Sequence, residues 1–150
     1  MDATVLVAAM GFVSTLLGAW FAAYWQRRAS REGQLLTAKL RAYGDCAAAL
    51  YEYERATYNR AKARLAALPE EQRVELRQEA YRCNALARSA LGQVAILSGS
   101  GSLRQELEAV RHSVGGLNDA IDPADLKRRH DGVAMALDQA LGRAGSDLMQ

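Results

Sequence analysis

Proline and the aromatic residues are scarce in this sequence. Two of its 150 residues are proline, and aromatic residues, which favour strands, make up 7%. Half of the residues are hydrophobic, and the good helix formers Ala, Leu, Arg, Glu and Gln are abundant. We therefore expect an all-α protein.

A strong excess of one charge is also missing. The formal net charge is +2, and the basic residues are spread over every segment of the chain. Because nucleic-acid binding usually needs a basic patch or stripe, no nucleic-acid partner is expected. Arginine outnumbers lysine by 16 to 3, and with abundant Ala and Gly this suggests a GC-rich bacterial genome.

Residues that carry chemistry are few. Cys46 and Cys83 are too few for a disulfide framework, and a helical hairpin folded about Leu68 would offset them by about 12 Å. His112 and His130 are the only histidines, and we expect structural roles for both. Nucleophile-elbow, Walker and kinase motifs do not occur, so we expect no enzyme, no catalytic or metal site and no cofactor.

The N-terminal segment has no charged residue from Ala3 to Trp25. As a helix it would measure about 34 Å, against about 30 Å of bilayer hydrocarbon. This predicts a single transmembrane helix, with residues 1–29 as the anchor and its flanking arginines. A cleaved signal peptide fits less well because Asp2 is the only charged side chain before the run, and a buried core helix would rarely be apolar for this length.

The end of the uncharged run has the features of a membrane interface. Its aromatic belt consists of Trp20, Phe21, Tyr24 and Trp25, and it is followed by Arg27, Arg28 and Arg31. By the positive-inside rule, the N-terminus would lie outside and the remaining chain in the cytoplasm. The predicted localisation is therefore the bacterial plasma membrane.

Small residues line one face of the same segment. They follow an alternating spacing of four and three residues: Ala8, Gly11, Thr15, Gly18 and Ala22. Small side chains let helices approach closely in lipid, so this seam predicts a homo-oligomer. A composition rich in Ala, Gly, Ser and Thr would also produce such a seam by chance.

Residues 30–150 carry four amphipathic patterns of helical period, which predict an antiparallel four-helix bundle on the cytoplasmic side. The first pattern runs to about Leu68 with Glu54 and Arg64 off type, and the second begins at Pro69. Ser98-Gly99-Ser100-Gly101 is a connector before a capping box at Ser102 and Gln105. Gly115-Gly116 is expected to kink or end the third helix, and Asp122-Pro123 with Asp125 to cap the fourth.

One polar surface of the first helix differs from an ordinary solvated face. Tyr51, Arg55, Tyr58 and Lys62 follow the four-three spacing about 100° from the apolar stripe. Aromatic and arginine side chains are enriched at interfaces, so this strip is a possible partner surface. The alternative is that its tyrosines flank the core and are covered by the fourth helix.

These features lead to two functional hypotheses. The first is a non-enzymatic, membrane-anchored helical module that associates with itself or docks a protein partner at the inner face of the plasma membrane. The second is a small holin-like or toxin-like effector whose anchors assemble and permeabilise the bilayer. The second hypothesis would not require a large ordered domain after the anchor, so the first is favoured.

Overall fold

The chain is all-α, as predicted. The computed structural model describes residues 3–99 and 101–148, with side chains from Trp25 onward except those of residues 27, 29, 147 and 148. Four α-helices and a short 3-10 helix follow one another: α1 Ala3–Leu65, α2 Glu70–Leu97, α3 Gly101–Gly115, the 3-10 helix Gly116–Asp119, and α4 Pro123–Leu148. The chain divides into two compact units, Met1–Thr37 and Ala38–Gln150.

The prediction of a membrane-spanning helix is wrong. In the part of the chain that the structure describes, no helix has an apolar stretch long enough to cross a bilayer. Arg28 and Glu32, which follow the predicted span, pair at 3.2 Å on an exposed surface of α1. The lack of a membrane-spanning helix in the described residues also contradicts the predicted single-pass topology, with the N-terminus outside, and the predicted plasma-membrane localisation.

The second unit, Ala38–Gln150, has a helical-bundle core built from one face of each helix. Small side chains such as Ala61 and Ala87 lie in this core together with large ones. The large side chains include four leucines that are at most 2% exposed: Leu50, Leu107, Leu117 and Leu137. The predicted stripes of α2, α3 and α4 supply most of the rest, including Cys83, Val94, Leu103, Val110, Val114, Leu126 and Val133. The helical period therefore identified the buried faces correctly.

The stripe of α1 is buried over only part of its predicted length. Tyr43, Leu50 and Thr57 are buried, but Leu36 and Leu40 are 45% and 53% exposed. The core of the bundle begins at Ala42, so the two leucines precede the point at which the other helices cover α1. Sequence periodicity shows which face is apolar but not where a neighbouring helix starts to cover it.

The connection between α1 and α2 is a tight helix end. The amide of Leu68 donates to the carbonyl of Ala63 at 3.1 Å, and the amide of Ala67 donates to that of Arg64 at 3.1 Å. This is the Schellman pattern, in which the residue after the helix cap adopts a left-handed conformation. Ala67 has a φ of 49° at that position, where glycine is usually preferred. The helix thus ends at Leu65, three residues before the predicted end.

Glycines end α2 and α3 as the sequence predicts. Gly99, which follows the cap residue Ser98 of α2, has a φ of 62°. α3 stops at Gly115 and continues as the 3-10 helix, where a Cβ on Gly115 would lie 3.3 Å from the Tyr53 hydroxyl oxygen. The predicted capping box does not mark the start of α3. The helix already begins at Gly101, so Ser102 lies inside it.

Two aspartates organise the start of α4, as predicted. The amide of Asp125 donates to the Asp122 carboxylate at 2.7 Å, and the amide of Ile121 donates to the Asp125 carboxylate at 3.2 Å. Arg128 and Arg129 also pair with Asp125, at 2.6 and 2.9 Å. The Ile121 amide, followed by these arginines, holds the pKa of the buried Asp125 below its usual value.

Candidate partner surface

The four residues of the predicted partner surface lie on one face of α1, and we call them the tyrosine–basic strip. Tyr51 is 46% exposed, and Arg55 and Lys62 are also exposed to solvent. Tyr58 is half-buried and packs against the core. The basic members of the strip are therefore open to solvent, whereas one of its aromatic members is partly enclosed.

Helix α4 contacts both tyrosines. The hydroxyl of Tyr51 donates to the Asp138 carboxylate at 3.4 Å, and the ring of Tyr58 lies 4.7 Å from the ring of His130 at an angle of 54°. Burial, followed by the Asp138 carboxylate, raises the pKa of Tyr51, which keeps its hydroxyl a donor near neutral pH. α4 thus fixes the orientation of these rings without covering the strip.

A partly buried polar contact lies beside the strip. His130 Nε2 lies 2.5 Å from Glu54 Oε1, and the Glu54 side chain is 16% exposed. The two atoms are close, but they are not aligned for a hydrogen bond, so Glu54 Oε1 is without a hydrogen-bond partner. The contact becomes an ion pair when the imidazole is protonated, and it joins α1 to α4 directly beside Tyr58.

Sequence reasoning missed this contact, although a signal for it was present. Glu54 is a polar residue on the apolar stripe of α1, and His130 is a polar residue on the apolar stripe of α4. Polar residues on facing apolar stripes are expected to meet, since each needs a partner when buried. The other off-type residue of α1, Arg64, likewise donates to the carbonyl of Ala120.

The basic side chains of the strip are exposed, and Arg55 has carboxylate neighbours. Arg55 pairs with Glu52 at 2.7 Å, and both side chains are more than half exposed. Such surface pairs contribute little because water screens them, so Arg55 can exchange this partner for another carboxylate at small cost. Lys62 lies two helical turns further along the same face. The strip therefore presents two cations beside an oriented aromatic ring.

The predicted N-terminal sites fall mainly outside the described side chains. This applies to the whole small-residue seam, to most of the aromatic belt and to one arginine: Ala8, Gly11, Thr15, Gly18, Ala22, Trp20, Phe21, Tyr24 and Arg27. The described members, Trp25, Arg28 and Arg31, are exposed, with Trp25 at 55%. The seam and its self-association remain predictions.

The two thiols are buried and unpaired. Burial, followed by the nearby Glu108 carboxylate, raises the pKa of Cys46 to about 11. Burial and the Glu79 carboxylate also raise the pKa of Cys83. Both side chains are therefore protonated near neutral pH and are poor nucleophiles. Over the described residues, no group of three or more His, Cys, Asp or Glu side chains is placed to hold a metal ion.

Comparison with known proteins adds a family to this geometry. The family model of the KilB plasmid transfer protein matches residues 40–148. No curated protein and no solved structure is significantly similar to the chain. The matched range covers more than half of the 150 residues and nearly all of the unit Ala38–Gln150. The chain belongs to the KilB plasmid transfer protein family.

Proposed function

We propose that the chain is a non-enzymatic helical module of plasmid transfer, which docks a protein partner through the tyrosine–basic strip. The family match supports a role in plasmid transfer, since the matching model describes a plasmid transfer protein. The observation that carries the docking surface is the exposure of Arg55 beside Tyr51, whose ring is oriented by α4, together with the exposure of Lys62 further along the same face.

The preorganisation of the aromatic rings favours binding. Interfaces draw most of their energy from a few anchors, among which Tyr and Arg are enriched. Ordering a side chain on binding costs entropy, and this cost is smaller when the side chain is already held. Tyr51 is held by Asp138, and Tyr58 is held by His130. The strip therefore offers a binding surface whose geometry exists before the partner arrives.

The charge of the strip indicates the chemistry of the partner. Arg55 and Lys62 would complement carboxylates, so we propose a partner protein with an acidic surface. The complementary charges would speed association, and salt would weaken it because exposed charges are screened over about 8 Å at physiological ionic strength. Homo-oligomer formation stays a separate prediction, whereas the alternative of a bilayer-permeabilising effector depended on a membrane-spanning anchor and is not proposed again.

Charge reversal in a plasmid-transfer assay tests the proposal. The double variant Arg55→Glu and Lys62→Glu should lower transfer at least about tenfold, since each unfavourable charge pair in the complex would cost on the order of 1 kcal/mol or more. Arg88→Glu with Arg104→Glu is the matched control, because both arginines are exposed on α2 and α3. Transfer by this control should stay near the wild-type level.

Protein amount and fold must be equal for this comparison. Immunoblotting and far-UV circular dichroism should show that both double variants accumulate and remain helical, since all four positions are on the surface. Wild-type transfer by the strip variant would contradict the proposal. An equal loss in both variants would also contradict it, because the effect would then follow from net charge and not from the strip.

A further inference from the structure

A cavity with four arginines lies at one end of the bundle. Its volume is about 90 Å³, and its lining consists of Arg60, Arg64, Arg73, Arg77 and Asn118. The first two residues come from the end of α1, the next two from the start of α2, and Asn118 from the 3-10 helix. The tight turn at Ala67 makes α1 and α2 antiparallel, and each arginine pair is spaced four residues apart, so the four side chains converge.

Little negative charge offsets these four cations. Arg73 pairs with Glu70, and Arg77 Nη2 lies 3.4 Å from the other oxygen of the same carboxylate. Arg64 donates to the Ala120 carbonyl, and Arg60 lies over the ring of Tyr81 with its Cζ 5.3 Å from the ring centroid. In the contacts described around the cavity, four guanidinium groups thus share one carboxylate.

Two buried polar atoms of the lining residues lack hydrogen-bond partners. They are Arg73 Nε and Asn118 Oδ1. A buried donor without an acceptor is unfavourable and uncommon in folded proteins. The two ends of an amide are assigned from its surroundings, so Asn118 can also turn its Nδ2 donor towards the cavity. Both atoms have less than 1 Å² of exposed surface, so an anion would reach them only after these two side chains turn towards the cavity.

We propose that this cavity binds a phosphate group, carried by inorganic phosphate or by a nucleotide. A cavity of about 90 Å³ has room for one tetrahedral oxyanion. Guanidinium groups bind phosphate through paired hydrogen bonds. A dianion would offset more of the excess charge than a second carboxylate, and Glu70 already supplies one carboxylate to Arg73 and Arg77.

This site is separate from the tyrosine–basic strip. Arg60 and Arg64 are each two residues from a strip residue, Tyr58 and Lys62, which places them about 200° around α1. The proposal therefore does not depend on the docking function. A small pocket suited to one group also differs from the extended basic surface that tracks a nucleic-acid backbone, and this favours a small phosphate compound over DNA.

Titration calorimetry on the full chain tests the proposal directly. Inorganic phosphate, sulfate and AMP would be added in separate experiments, with chloride and a short DNA duplex as comparisons at equal ionic strength. We expect one phosphate or sulfate per chain and no saturable heat with chloride. Binding of AMP as tight as that of phosphate, or tighter, would identify a nucleotide as a source that the site accepts.

Arginine variants locate the binding. Arg73→Gln with Arg77→Gln should weaken phosphate binding at least about tenfold, since two charge-assisted contacts are lost. Arg88→Gln with Arg104→Gln, on exposed positions, should bind phosphate as the wild type does. Equal binding by both variants would overturn the proposal. Saturable binding of duplex DNA without binding of phosphate or sulfate would overturn it as well.

A third variant separates binding from folding. Asn118→Asp places a carboxylate at the cavity, so it should abolish phosphate binding while raising the melting temperature in phosphate-free buffer. A misfolded variant would instead lose phosphate binding and have a lowered melting temperature. Retained phosphate binding in Asn118→Asp would contradict the proposed site, whatever the behaviour of the arginine variants.

Discussion

Truncation of Leu107 tests the packing of the bundle most simply. Leu107 lies in the middle of α3 and is 2% exposed, with its side chain in the core of the unit Ala38–Gln150. Leu107→Ala removes three carbon atoms, worth about 2.4 kcal/mol of transfer free energy at roughly 0.8 kcal/mol each. The cavity left behind adds to this loss, so we expect a total of about 3–4 kcal/mol.

Urea unfolding of the full chain, followed by circular dichroism at 222 nm, measures this loss. With a slope of about 2 kcal/mol per molar urea, the midpoint should fall by roughly 1.5–2 M. Arg104→Ala is the control on the exposed face of the same helix, and its free energy of unfolding should change by less than about 0.5 kcal/mol. A loss below about 1 kcal/mol for Leu107→Ala, or equal losses for both variants, would refute the assigned phase of α3.

Three further predictions concern the helix end, the thiols and the cap of α4. Ala67→Gly should raise the free energy of unfolding by about 0.5–1 kcal/mol, because the left-handed conformation strains alanine; a lower melting temperature would contradict this. Cys46 and Cys83 should resist iodoacetamide at pH 7.5 until urea unfolds the chain, and rapid labelling of the native protein would contradict their burial. Because the native pKa of Asp125 lies below its ordinary value of 3.8, ionised Asp125 stabilises the fold at pH values above 3.8. This stabilisation is lost as the pH falls through the lower native pKa. Asp125→Asn should therefore flatten the acid limb of the melting-temperature profile, and an unchanged limb would argue against it.

The fold was predictable where one physical signal decided the outcome. The 3.6-residue period placed Cys83, Leu107 and Leu137 in the core because each lies within a helix that is covered along most of its length. Gly115 ended α3 as its sequence pattern indicates. Ile121 continues the apolar spacing of Leu107, Val114 and Leu117 but is 80% exposed, because α3 has already ended before it. A helical pattern predicts burial only for residues at which the helix itself continues.

Other features could not be read from local patterns. The membrane prediction depended on the uncharged run at residues 3–25, but no helix in the described part of the chain is apolar over a length sufficient to cross a bilayer. The arginine cavity arises only when the turn after Leu65 brings the start of α2 beside the end of α1. In the linear sequence its arginines look like parts of two solvated helix faces.

The tyrosine–basic strip was predicted as a set of residues but not in its detail. The four-three spacing correctly places Tyr51, Arg55, Tyr58 and Lys62 on one face. The contacts that hold Tyr51 and Tyr58 come from α4, about 80 residues later in the chain, and no local signal specifies them. The sequence therefore indicated the surface, whereas its preorganisation emerged only from the packing of two helices.

Site-specific photocrosslinking in plasmid-bearing cells tests the central claim, that the strip docks a protein, most directly. A photoreactive amino acid in place of Lys62 should give a discrete adduct with one partner protein after irradiation, and the additional change Arg55→Glu should reduce its yield. The same amino acid in place of the exposed Arg88 should give no such adduct. An adduct at position 88 but not at 62, or none at 62 in cells that transfer the plasmid normally, would contradict the account.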